Sequence, residues 1–148
     1  MTSSKITIEH VADTTGLDLF FLQTLLQQIH ADAGAAGAVT CILTCDAHLH
    51  QLNRDFRNKD APTDVLSFDL QDTHHPQERV LGEIYISLDR AISQAQEAHR
   101  RPQEEVAHLA VHGLLHLLGF EHETACEHAQ MRQRENHYLN LLRQMQPT

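Results

Sequence analysis

The chain has 148 residues, 41% hydrophobic and 21% charged, with 11 Lys+Arg against 20 Asp+Glu and a formal charge of −9. A chain of this size can bury roughly 70% of its unfolded surface, so it needs no disulfide staples, and its composition is neither collagen-like nor that of a disordered chain. Its apolar runs fall short of the roughly 20 residues of a membrane span, and its acidity makes it a poor non-specific binder of nucleic acid, where attraction to phosphates dominates.

No internal repeat or long low-complexity run breaks the sequence, so a single domain over residues 1–148 is expected. The N-terminal stretch lacks a basic region followed by an apolar core, and no secretory signal is expected there. Residues 5–11 alternate apolar and polar, as a strand does. Asp18 is placed to cap a helix to about Asp32, carried by Leu19, Leu22, Leu25, Leu26 and Ile29 and stopped by Gly34. Residues 38–44 read as a buried strand, followed by a helix from Asp46 through Leu49, Leu52 and Phe56. Residues 63–68 and 80–86 read as two further strands, and the polar stretch 71–79 with Pro76 between them as a loop. Helices are expected over 87–99, 102–118 and 124–143, with Pro102 at a first helical position and Gly119 as a stop. The order predicts a mixed α+β fold with helices dominating the second half. Cys41, Cys45 and Cys126 form no C-x-x-C pair and read as reduced cytoplasmic thiols, with Cys41 and Cys45 on one core-facing strand side.

The 13 histidines outnumber all lysines and arginines together. Three of them, His112, His116 and His122, stand at offsets 0, 4 and 10, with Gly119 between the second and third. Residues four apart on a helix differ by about 40° and about 6 Å of rise, so two imidazoles can converge on one ion. A left-handed turn at Gly119 would bring His122 in from the side. Three imidazoles and an open position make the pattern of catalytic zinc. Roughly one i,i+4 histidine pair is expected by chance at this density, but such a triplet only about 0.1 times. His108 also lies four residues before His112, yet it is about 12 Å of helix from His116, too far to share an ion with it. It reads as a flanking residue or as a satisfied structural histidine. Metzincin proteases share the triplet spacing but carry a general-base glutamate directly after the first histidine, where this chain has Gly113. That disfavours a protease.

The segment from His112 to His122, HGLLHLLGFEH, resembles the signature of the YbeY endoribonucleases, the rRNA maturation factors. The resemblance extends to residues 52–68 (LNRDFRNKDAPTDVLSF) and 81–87 (LGEIYIS), and covers most of the chain from about Leu43 onward. Glu121 and Glu83 stand where the family often has aspartate, and Asp69 where proline is common. The resemblance implies a four-stranded, mostly parallel sheet flanked by helices, with a zinc cleft formed by the histidine-bearing helix and the turn after it. It implies a zinc-dependent, single-strand-specific endoribonuclease acting in maturation of the small-subunit (16S) rRNA 3′ end and in ribosome quality control. One Zn2+ would be held by His112, His116 and His122, and the family's important arginine falls on Arg57. Partners implied are single-stranded RNA, the small ribosomal subunit with one of its proteins, and a ribosome-associated GTPase.

The chemistry agrees with that expectation. Phosphodiester cleavage builds negative charge that a preorganised cation stabilises, and the always-ionised guanidinium of Arg57 suits a phosphate clamp. Taken alone, Arg57 reads as a surface arginine, while Arg54 and Lys59 read as solvated charges that can also track an RNA backbone near Arg57. Asp64 and Ser67 read as cleft residues, or equally as a strand-start cap and a packed hydroxyl. Glu121 reads as a neighbour of the metal ligands or as an exposed residue; His74, His75, His128 and His137 read as surface. Two other functions compete: a non-catalytic assembly factor with structural zinc, and a metalloprotease relative drawing a carboxylate from elsewhere.

Overall fold

The alternating start of the chain forms the short strand β1 (Ile6–His10). The computed structural model describes residues 5–71, 80–120 and 124–145. After β1 come α1 (Leu19–Asp32), β2 (Ala38–Thr44), α2 (Asp46–Arg57), β3 (Val65–Asp69), β4 (Val80–Ser87), α3 (Leu88–Glu97), α4 (Pro102–Leu117) and α5 (Ala125–Met145). Asp18 caps α1 as expected, its carboxylate accepting from the Phe21 amide at 2.9 Å. Of the predicted loop 71–79, residues 72–79 lie outside the described residues, as do His74 and His75.

The four strands make one sheet in the order β1-β2-β4-β3. β1, β2 and β4 run parallel, while β3 pairs antiparallel with β4, Val65 opposite Ile86 and Asp69 opposite Gly82. The sheet is therefore mixed and mostly parallel, with β3 on an edge. Ile6, Val39, Cys41, Leu43, Ile84 and Ile86 share one face through this register and are almost wholly buried. That face meets α1 and α4. The opposite parity carries Phe68 and Tyr85, whose rings meet Phe56 and His48 of α2 edge-on at 5.7 and 5.6 Å.

α4 is the centre of the packing. Val106, Ala107, Ala110, Val111, Leu114 and Leu115 are at most 2% exposed, and each fully buried leucine contributes about 2 kcal/mol relative to exposure. Gly113 is where α4 lies closest to the sheet. A Cβ there would stand 2.7 Å from Ile84 Cγ2 and 3.0 Å from Ser67 Oγ, so no side chain fits. Gly119 (φ +101°) ends the helix as expected, with the Phe120 amide donating to the Leu115 carbonyl at 3.0 Å.

One packing expectation is corrected. Cys45 is exposed at the N-cap of α2 and is not a core residue, because the strand stops at Thr44. Phe56, near the end of α2, is 67% exposed. Cys41 is buried, and burial pushes its thiol up to about 12.

Candidate active site

The buried face of α4 sets where its histidines can go. With Gly113, Leu114 and Leu117 turned into the core, His112 and His116 stand half-buried on the other side. Their rings meet edge-on with centroids 4.7 Å apart. Both line a cavity of about 640 Å³ whose opposite wall is Arg57, Lys59, Asp64, Ser67 and Asp69. The predicted histidine pair and the predicted arginine, 55 residues apart in the chain, thus open on one space. The wall facing α4 comes from β3, the last residue of α2 and the segment that follows it. Among the predicted residues, His122 and Glu121 lie outside the described residues.

Arg57 is held although it is exposed. It closes α2, and Asn58 behind it takes a left-handed conformation (φ 56°) that ends the helix, with the Lys59 amide donating to the Asn53 carbonyl at 3.1 Å. Buried Asn53 donates from Nδ2 to the Ala61 carbonyl at 2.9 Å and so fixes the loop that carries Lys59. The Arg57 guanidinium donates to the Ser67 carbonyl on the edge strand and lies 5.2 Å from the centre of the Phe68 ring. Ser67 is the joint of the site. Its carbonyl accepts from Arg57 while its hydroxyl donates to the Gly113 carbonyl of α4 at 2.8 Å. It is thus both a cleft residue and a packed hydroxyl. Asp64 is a cleft residue and not a strand-start cap: its carboxylate accepts from Gln94 of α3 at 3.3 Å, and its carbonyl from the Ser87 amide at 2.9 Å. Arg54 pairs with Asp55 at 3.7 Å and does not line the cavity.

The residue that sequence reasoning missed is Glu135 of α5. His112 donates from Nδ1 to its Oε2, and His108 Nε2 lies 3.7 Å from its Oε1. Burial works to raise the Glu135 carboxyl, but the two histidines outweigh it and hold the group down at about 2. An ionised carboxylate only accepts hydrogen bonds, so the Nδ1 proton belongs to His112. An imidazole so held offers Nε2 as its electron-pair donor, the arrangement that orients metal-ligating histidines. Nothing local in the sequence marks Glu135, which lies 23 residues beyond His112. His108 thus flanks the carboxylate that holds a predicted ligand; the Glu135 carboxylate beside it raises its pKa, and its buried Nδ1 has no hydrogen-bond partner among the described residues.

These residues suit a divalent ion that favours imidazole. Two histidine rings converge, and a carboxylate fixes the tautomer of one. Among the described residues no three His, Cys, Asp or Glu side chains converge as a metal set. The predicted third ligand, His122, is not among them.

Residues 5–143 match the family profile described as Endoribonuclease YbeY. The chain belongs to the YbeY family. It is 44% identical over 142 residues to an Endoribonuclease YbeY of Chloroflexus aggregans, covering 89% of this chain and 92% of that one. It is 41% identical over 138 residues to the YbeY of Roseiflexus castenholzii, covering 89% and 85%. A solution structure of a Thermotoga maritima protein superposes with a TM-score of 0.68 at 29% identity, covering 93% of this chain and 88% of that one. The mixed sheet with its helices is thus shared beyond close sequence likeness. Among the described residues no helix is long and apolar enough to cross a membrane.

Proposed function

We propose that this chain is a zinc-dependent, single-strand-specific endoribonuclease of the cytoplasm. It acts in maturation of the small-subunit (16S) rRNA 3′ end and in ribosome quality control. The reading rests on one observation above the others: His112 and His116 open on the same cavity as Arg57 and Lys59. The named activity of the YbeY relatives supports the same reaction class.

His112, His116 and His122 would hold the ion. Zinc, when bound, supplies a Lewis acid beside the phosphate. The chain's own residues do the rest. Arg57 clamps the non-bridging oxygens as charge develops on them, and because the Ser67 carbonyl and the Phe68 ring hold it beforehand, little reorganisation is needed. Lys59 adds positive charge along the strand's path. Glu135 keeps the proton on His112 Nδ1 and so fixes the ring. Asp64 and Ser67 shape the facing wall. Contact with the small ribosomal subunit, one of its proteins and a ribosome-associated GTPase belongs to the same reading.

Position 113 cannot carry the general base of a metzincin protease, because that site faces Ile84 and Ser67 and has no room for a side chain. The test is cleavage of a single-stranded RNA by the purified protein. Chelation and His116→Ala should each abolish it, with zinc restoring the chelated sample. Failure on every RNA, with full binding to the small subunit, would leave a non-catalytic assembly factor instead.

A further inference from the structure

The cavity holding Arg57 is not isolated. A second space of about 460 Å³ lies between α4 and α5, and His112 lines both. Arg100, His128, Arg132, Asn136 and Arg143 stand on its walls. A third space of about 350 Å³ adjoins it and shares His128, Arg132 and Asn136. Positions 128, 132, 136 and 143 fall on one stripe of α5, which covers about 22 Å of helix. On a chain of charge −9 most surface cations are expected to sit against carboxylates, and Arg54, Arg90, Arg100 and Arg101 do so. Among the described residues, Arg57, Lys59, Arg132 and Arg143 have no carboxylate within ion-pair distance, and all four line these linked spaces. Lys5 and Arg134 are likewise unpaired and lie elsewhere.

The carboxylates near the second space are already engaged. Glu135 accepts from His112, Glu105 is buried against Arg100 at 3.2 Å, and Glu127 accepts from the Thr124 amide at 3.1 Å. Among the described residues no Phe or Tyr ring lines any of the three spaces; the planar groups there include imidazoles and guanidiniums. The guanidiniums of Arg132 and Arg143 and the Asn136 amide offer charge and hydrogen bonding, which is the chemistry of sequence-independent phosphate contact.

We propose that the α4–α5 cavity is a phosphate-binding subsite, in which Arg132 and Arg143 hold the RNA strand on the side of His112 away from Arg57. This rests on the ribonuclease reading for the identity of the strand. The local charge also reconciles an acidic body with an RNA substrate: the body repels, and the trough attracts only what enters it.

The test is binding of a labelled single-stranded 20-nucleotide RNA of mixed sequence, followed by fluorescence anisotropy across a salt series. R132E/R143E alters two exposed side chains, and circular dichroism checks its fold. Kd should rise tenfold or more. The slope of log K against log salt should flatten by about 1.4, the value for two lost contacts to a single strand. R132K/R143K should keep most of the affinity. Unchanged affinity and slope in the charge-reversed protein overturn the subsite, as does wild-type protein that binds no RNA. An equal loss of affinity for polyglutamate overturns it in favour of an acidic-protein docking face. If the wild type cleaves RNA while the reversal leaves binding unchanged, the subsite falls and the ribonuclease reading stands. If the wild type cleaves nothing but the reversal weakens binding, the opposite holds.

Discussion

His112 and His116 stand on a helix whose other side is driven into the core, whereas Arg57 stands on a helix end open to water. The histidines owe their direction to burial: Val111, Gly113, Leu114 and Leu115 leave α4 one way to sit. Arg57 owes its direction to a few polar contacts, namely the Ser67 carbonyl, the Phe68 ring and the Asn58 turn. Under the proposed function, the side that would present metal ligands is built from the core, and the side that would meet a phosphate is built on the surface. Ser67 joins them, with one bond to each.

The largest test of this contrast strikes the core side. Gly113→Glu restores the residue found in metzincins but places its Cβ 2.7 Å from Ile84 Cγ2 and buries a carboxylate. A loss of about 4 kcal/mol or more is expected, which lowers the unfolding midpoint by about 10 °C or more. Thermal denaturation followed by circular dichroism measures it. A variant that melts with the parent would mean that α4 does not approach the sheet so closely.

Arg57→Ala strikes the surface side and should do the reverse. Its stability should be that of the parent, while kcat for RNA cleavage falls about 100-fold or more. Arg57→Lys should recover only part of that, since it keeps the charge and loses the planar fork. Parent-like cleavage by the alanine variant would remove the clamp.

Glu135→Gln sharpens the comparison by changing a contact that touches only the histidine side. Zinc affinity measured against a competing chelator should fall about 10–100-fold, whereas Arg57→Ala should leave it unchanged. Equal affinities in Glu135→Gln and the parent would show that His112 needs no carboxylate behind it.

The smallest effect is on acid stability of the metal-free protein. Burial tends to raise the Glu135 carboxyl, but His108 and His112 bring it from an ordinary 4.5 to about 2. A depressed carboxylate contributes its full stability above the unfolded value and loses it as pH falls towards the folded one. The unfolding midpoint should therefore drop between pH 4.5 and about 2, and less steeply in Glu135→Gln. Matching slopes in the two proteins would remove the linkage.

Much of this was legible in the residues because it is local. The seven residues of β2 show as an apolar run, and Asp18 and Gly119 mark helix ends through their own side chain or lack of one. The i,i+4 spacing of His112 and His116 already implies rings that meet. Cys45 misled because alternation gives the side a residue would face in a strand, not where the strand stops. Glu135 could not be found locally, since its partner His112 lies 23 residues away, and the partner of Ser67, the Gly113 carbonyl 46 residues on, was equally out of local reach.

By itself the sequence determined the element order, the resemblance to YbeY proteins and the chemical types at the candidate site, because helix periodicity and ligand spacing act over a few residues. Only the tertiary structure decided that β3 runs antiparallel on the sheet edge, that Gly113 is a packing contact rather than a missing base, and that Glu135 stands behind His112. It also decided which cations stand apart from carboxylate partners. Net charge sums over the whole chain, while folding leaves Arg57, Lys59, Arg132 and Arg143 without ion-pair partners among the described residues, along linked spaces that Asp64, Asp69 and Glu135 also line.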